Sequence, residues 1–375
     1  MAGINDLINV WKNVKEVDLR PYRAAALDPL KLAIVGRPGS GRHTLADRVH
    51  QDPQHPQITT QTVLHISDLD GEDWANEADL ILLVLDATAN DFSVEQALAK
   101  KWGKAGKKIL ALINNKDLAG NQAVDLSSMR WELTQVLRGS VIDPDFMQRE
   151  FIPAVLELLP ERRLALGRQF PLFRQAIALQ LINETSFSNA VYSLGTGLAE
   201  VVPILDIPLN LTDMIVLTKA QAFLAYKLGL ALGFSTRWQD YVAEFGSVLG
   251  GGFVWRQAAR TLVGLVPVWG IVPKVAVAYA GTYVVGHVIL QWYLTGRKIT
   301  GQQLRTLYQQ GLLNGKNLAQ GLASRLPHPR RGRGKTPELA APDLKPCIFC
   351  GKLNAPDAVY CQYCGQTISP SATKE

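Results

Sequence analysis

Short, uninterrupted apolar runs alternate with helix-period stretches between residues 29 and 165. Lys31-Leu-Ala-Ile-Val35 runs straight into a glycine-rich turn. Gln61 to Ile66, Leu80 to Leu85 and Ile109 to Ile113 read as further strands, and Ser93 to Trp102 as one of the intervening helices. Strands apolar on both alternating sets of positions must be covered on both faces. The pattern therefore predicts an α/β domain with a mainly parallel sheet and helices on both sides. Ahead of it, in segment 1–28, Ile4, Leu7, Ile8, Trp11 and Val14 recur at helical spacing and predict an amphipathic helix over residues 3–18. Pro21 and the Asp28-Pro29 step separate that helix from the first strand.

Over residues 166–324 the texture changes to an all-α apolar module, punctuated by Gly195-Thr-Gly197, Pro203, Pro208, Gly250-Gly-Gly252, Pro267 and Pro273. Val275 to Leu294 is about twenty residues long with only His287 ionisable, enough to span a bilayer. Lys274 on one side, and Arg297 with Lys298 on the other, can snorkel to the interfaces without fixing an orientation. Thr261 to Val272 is too short to span alone but can form one arm of a re-entrant hairpin. Glu200, Asp206, Asp213, Lys219 and Lys227 are costly in lipid unless paired or facing a cavity. The expectation is membrane association from the cytoplasmic side. The alternative is a cytoplasmic bundle with an unusually apolar core or a self-association face. Residues 300–324 read as a milder amphipathic helix through Leu304, Leu307, Tyr308, Leu312 and Leu318, and 325–345 as a basic, Pro-rich linker. There is no internal repeat.

Composition sharpens this division. Of 375 residues, 47% are hydrophobic and 19% charged, and the apolar excess lies mostly between Val191 and Leu294. The net charge of +6 includes clusters at Lys100 to Lys108 and Arg325 to Lys335, which suit anionic lipid, nucleic acid or plain solvent. All four cysteines fall near the C-terminus, which speaks against a disulfide scaffold. The start, Met-Ala-Gly-Ile-Asn-Asp, lacks the order of a signal peptide.

The turn after the first strand reads Gly36-Arg37-Pro38-Gly39-Ser40-Gly41-Arg42-His43-Thr44. It follows the P-loop pattern, in which glycines let backbone N–H groups curl around phosphate, a lysine reaches the terminal phosphates and a hydroxyl holds Mg2+. The glycines and the strand–turn–helix setting fit, and the two chemical positions do not. Arg42 stands where lysine belongs and His43 where Ser or Thr belongs, while Thr44 comes one residue late. The same residues also suit an ordinary glycine-rich turn.

Asp68-Leu-Asp-Gly71 matches DxxG, whose aspartate reaches magnesium through water and whose glycine N–H senses the γ-phosphate. Asn114-Asn115-Lys116-Asp117 offers an imperfect NKxD element, with Asp117 accepting from guanine N1–H and N2 and Asn115 in the lysine place. A second register, Asn115-Lys116-Asp117, lacks the spacer, and a plain polar turn is a further alternative. The segment between the loop and Asp68 leaves little room for a switch, and none of Thr59, Thr60 and Thr62 can be assigned as the switch threonine. Hydrolysis is doubtful on these grounds.

With these residues the chain resembles Era-like, Ras-like GTPases of the translation-factor class fused to the helical module called domain of unknown function 697. The resemblance is carried by Ala78-Asp-Leu-Ile-Leu-Leu-Val-Leu-Asp86, Leu166-Gly-Arg-Gln-Phe-Pro-Leu-Phe-Arg174, and Val202-Pro-Ile-Leu-Asp-Ile-Pro208 with Asp213. Leu265-Val-Pro-Val-Trp-Gly270 and Ala280-Gly-Thr-Tyr-Val-Val-Gly286 complete it. It implies a GTP-binding, membrane-associated protein.

Near the C-terminus, Cys347-Ile-Phe-Cys350-Gly351 and Cys361-Gln-Tyr-Cys364-Gly365 form two CxxCG knuckles with ten residues between them. Four thiolates make a closed tetrahedral site, which predicts a structural Zn2+ in a ribbon over residues 346–369. The knuckles hold few basic residues, so a protein partner suits the ribbon better than nucleic acid. Two functions compete: a GTP/GDP switch at a membrane, and a pseudo-GTPase scaffold without nucleotide turnover. An RNA-binding assembly factor ranks behind both, since no appended RNA-binding module is recognisable.

Overall fold

The uninterrupted apolar runs become strands closed off from water on both faces. In the computed structural model, which describes residues 18–69, 73–114, 131–197, 211–241, 271–297, 299–325, 345–346 and 353–354, the chain divides into two compact units. The first comprises Ala24–Ala178 with Leu230–Phe234, and the second the described parts of Met1–Arg23, Leu179–Gly229 and Ser235–Glu375.

The first unit follows α1 (Arg20–Leu27) with β1 (Leu32–Gly36), α2 (Arg42–Val49), β2 (His65–Ser67), β3 (Leu80–Asp86), α3 (Ser93–Lys104), β4 (Ile109–Asn114) and β5 (Gln135–Arg138). The five strands form one sheet in the order β2-β1-β3-β4-β5, every pair parallel. Side chains alternate across it with period two. Ala33, Val35, Ile81, Leu83, Leu85, Ile109, Ala111 and Ile113 share one face, packed with Leu98, Ala99 and Trp102 of α3. Leu32, Ile34, Leu80, Leu82, Leu110 and Leu112 are buried at the alternate positions. Beyond β5 the chain continues through α4 (Pro144–Phe146) and a π-helical turn at Met147–Phe151 into α5 (Ile152–Leu158) and α6 (Arg163–Gln169).

Two strand expectations change. The run expected from Gln61 is a strand only over His65–Ser67. Upstream, the Thr60 and Thr62 hydroxyls bond each other at 2.9 Å, and Thr62 Oγ1 donates to the Gln169 carbonyl at 2.9 Å. Such local side-chain bonding competes with a sheet ladder. β5, absent from the sequence reading, closes the other edge with a half-polar tetrapeptide. Between α2 and β2 the only pairing among the described residues is an isolated antiparallel bridge, Gln51 with Thr59.

The strand order reverses between β1 and β3, and parallel sheets of this kind take ligands outside the carboxyl ends of the strands at that point. Gly36, Asp86 and Asn114 end β1, β3 and β4, while Asp68 and Gly139 follow β2 and β5. The topology thus gathers the candidates Gly36, Asp68 and Asn114 from distant positions on one edge.

In the helical part are α7 (Arg174–Gly197), α8 (Leu211–Leu232), α9 (Ile271–Thr295) and α10 (Gly301–Arg325). Helix α9 ends at Gly296, with φ 64, and α10 starts in a capping box. There Thr300 N–H donates to Gln303 Oε1 at 3.0 Å while Gln303 N–H donates back to Thr300 Oγ1 at 3.3 Å. Gly315 lies so close to Ala276 that an added Cβ would meet its Cα at 2.7 Å, and Gly311 stands likewise against Ala280. The paired positions run in opposite order, so α9 and α10 pack antiparallel through small residues. The buried Asn189 side chain donates to Thr282 Oγ1 at 2.8 Å inside the same unit. Among the described residues one helix, Val275–Thr295, is long and apolar enough to cross a membrane. Farther on, β6 (Lys345–Pro346) pairs antiparallel with β7 (Leu353–Asn354).

Candidate functional site

The Gly36–Gly41 turn owes its shape to two neighbours that leave no room for side chains. A Cβ on Gly36 would lie 2.5 Å from the Val84 carbonyl oxygen, a backbone atom of β3 that cannot give way. Gly41 has φ 95, in the left-handed region, and its Cβ would lie 2.1 Å from Asn114 Nδ2. Gly41 is also the residue before α2, with no side chain to cap it. The first-turn N–H groups of Arg42, His43 and Thr44 therefore have no partner inside the helix, and the positive end of the helix dipole faces the turn. That is the backbone chemistry of an anion cradle.

Asn114 holds this cradle to the rest of the edge. It is buried at 1% exposure; its Nδ2 donates to the Ser40 carbonyl at 2.8 Å, and its Oδ1 accepts from Val141 N–H at 3.0 Å. One amide side chain thereby joins the turn after β1, the end of β4 and the Gly139–Val141 turn after β5. Gly139 permits that last approach, because a Cβ there would sit 2.1 Å from the Phe146 ring. Sequence reasoning missed the β5 turn; its only signal was Gly139-Ser140 after a short alternating run.

The charged residues are committed elsewhere. Arg37 turns away from the crevice to make a bidentate pair with Glu95 of α3, at 2.6 and 2.8 Å. Glu95 is almost fully buried, and its hydrogen bond raises the Arg37 guanidinium above its ordinary pKa. Arg42 folds back under the turn: Nη1 donates to the Gly36 carbonyl at 2.7 Å and pairs with the carboxylate of Asp68. The Arg42 side chain is only 12% exposed, and Asp68 is half in solvent. His43, Pro38 and Gly39 are exposed and Thr44 half-buried. Ser40 Oγ and Arg42 Nε are buried without a hydrogen-bond partner.

The structure thus brings together Gly36, Gly41, Arg42, Asp68 and Asn114. Gly71, Asn115, Lys116 and Asp117, and the cysteines Cys347, Cys350, Cys361 and Cys364, lie outside the described residues. So do most of the 3–18 helix, Val202–Pro208 and Leu265–Gly270. The residues present suit a phosphate and do not suit magnesium. That ion requires oxygen ligands, whereas an imidazole takes the hydroxyl's place and a guanidinium already holds the carboxylate. Among the described residues no group of three or more His, Cys, Asp or Glu side chains could hold a metal ion.

No protein family model matches the chain, and no curated protein matches it. Among solved structures, apo translation elongation factor SelB from Methanococcus maripaludis aligns with a TM-score of 0.26 and 16% identity. The match covers 35% of this chain and 33% of that one, about a third of each.

Proposed function

We propose that this chain is a guanine-nucleotide-binding protein with a degenerate P-loop, associated with a membrane through its helical module. The observation that carries the reading is the Asn114 bridge, which ties the carbonyl of Ser40 to the turn after β5 beside the uncapped first turn of α2. A phosphate set against Gly39–Thr44 would extend its nucleoside along this edge toward the residues after β4. By the NKxD pattern of Asn114-Asn115-Lys116-Asp117, Asp117 accepts from the guanine N1–H and N2 amine and Asn115 takes the lysine's place.

The rest of the assignment follows the sequence. The apolar length of Val275–Thr295 and the small-residue packing of α9 against α10 support membrane contact. The duplicated CxxCG spacing of Cys347, Cys350, Cys361 and Cys364 supports a structural zinc site. The ribbon is then a docking site for a protein partner, with the cytoplasmic side of the membrane as the place of action.

One observation favours a second reading, the pseudo-GTPase scaffold. The pairing of Arg42 with Asp68 occupies the two groups that hydrolysis would need for magnesium and the γ-phosphate. Calorimetric titration of the full chain in detergent with GTP, GDP and ATP separates the two. The switch reading expects guanine-selective binding with Kd on the order of micromolar, abolished by Asp117→Ala. A folded chain that binds no nucleotide leaves only the scaffold.

A further inference from the structure

The charge balance under the turn is unusual for a site that would hold several phosphate charges. Arg37 is neutralised by Glu95 and Arg42 by Asp68, so neither cation is left over for a ligand. The two pairs differ in depth. Glu95 is buried and gripped at both oxygens, whereas Asp68 is half exposed and can leave without uncovering core. Arg42 cannot leave as readily: its side chain is mostly buried and anchored on the Gly36 carbonyl. Its Nε, like Ser40 Oγ, is buried and unpartnered. The fixed member of the pair is therefore the guanidinium, and the exchangeable member is the carboxylate.

We infer that Arg42 and Asp68 together replace the divalent cation: the site takes a nucleoside phosphate without metal, and the phosphate displaces Asp68 from Arg42. This rests on the nucleotide-binding reading above. A guanidinium is already cationic and offers a planar set of N–H donors that suits phosphate oxygens. With Arg42 in place, a magnesium ion at the same carboxylate would sit beside a fixed positive charge, with His43 instead of a hydroxyl for a ligand. Asp68 then acts as a built-in competitor of the phosphate.

The two kinds of site predict opposite signs for one substitution. In a magnesium site, removing the aspartate weakens nucleotide binding; in a latch, it strengthens it. The experiment measures GDP affinity of the full chain in detergent, in EDTA and in millimolar Mg2+, for the wild type, Asp68→Asn and Arg42→Ala. Circular dichroism checks that each variant is folded. The latch predicts less than a twofold effect of Mg2+ on the wild type. It also predicts tightening by roughly three- to tenfold in Asp68→Asn under both conditions, the range expected for releasing a partly exposed ion pair. Arg42→Ala should weaken GDP at least tenfold. Tightening of the wild type by Mg2+ of tenfold or more, or an Asp68→Asn affinity equal to or below the wild type, overturns the latch while leaving nucleotide binding intact. Absence of GDP binding in the folded wild type and in folded Asp68→Asn overturns the nucleotide reading itself, and the latch with it.

Discussion

Truncating Asn114 to alanine removes both hydrogen bonds that hold the Gly36–Gly41 turn to the β5 turn. Each buried bond is worth about 0.5–1.5 kcal/mol net, and each orphaned partner adds a desolvation penalty of about 1–3 kcal/mol unless water reaches it. Ser40 and Val141 are both buried, at 0% and 2% exposure, so neither partner is readily rehydrated. Allowing for partial relaxation, the cost to this edge is about 2–4 kcal/mol. Because the chain holds two units, a single unfolding midpoint is a poor measure of a local loss. Hydrogen exchange read on the peptide containing Val141 reports it directly. A loss of that size accelerates exchange about 30- to 700-fold if local opening is limiting. Asn114→Asp should keep the Val141 bond, since a carboxylate accepts as well as the amide oxygen, while setting two acceptors against each other at Ser40. Unchanged Val141 exchange in Asn114→Ala would refute the claim that this side chain is the tie between the two turns.

Gly41→Ala combines a positive φ with a collision on Asn114 Nδ2, and should lower the melting temperature and loosen the same Val141 peptide, at about 1–3 kcal/mol. Trp102→Ala empties the largest side chain of the α3–sheet interface, at 1% exposure, and should cost about 3–5 kcal/mol by denaturant titration of the sheet-containing unit. Asp91 accepts from Ser93 N–H and Oγ at the start of α3, and these bonds hold its carboxyl below the usual range. Its contribution is therefore present above the unfolded value of about 3.9 and is lost as pH falls through the lowered folded value. Asp91→Asn should flatten the acid arm of the stability profile, and an NMR titration should place the wild-type carboxyl low.

Where the pattern was legible, it was legible because burial was uniform. β1, β3 and β4 are apolar at every position but the last, and a parallel strand covered on both faces has no other way to look. The edges lacked that signature. β2 keeps three residues, all at least partly exposed, and β5 buries only Leu137 among its four. Neither can be told from a loop by periodicity. The site shows the same contrast. Gly36 and Gly41 could be read as a tight glycine turn between strand and helix from spacing alone, and Asn114 as a polar residue ending a strand. That Asn114 bridges to Val141, that Arg37 is spent on Glu95, and that Arg42 reaches Asp68 depend on which strands are neighbours. Residues 26 to 58 positions apart meet because β1 lies beside both β2 and β3, and β4 beside β5.

The most direct test of the central claim is hydrogen–deuterium exchange of the full chain with and without saturating GDP. If the edge described here holds the nucleotide, protection appears in the peptides covering Arg37–Thr44 and Asn114, and it disappears in Asp117→Ala. Protection confined to other parts of the chain, or none at a GDP concentration that calorimetry shows to be saturating, would contradict the assignment.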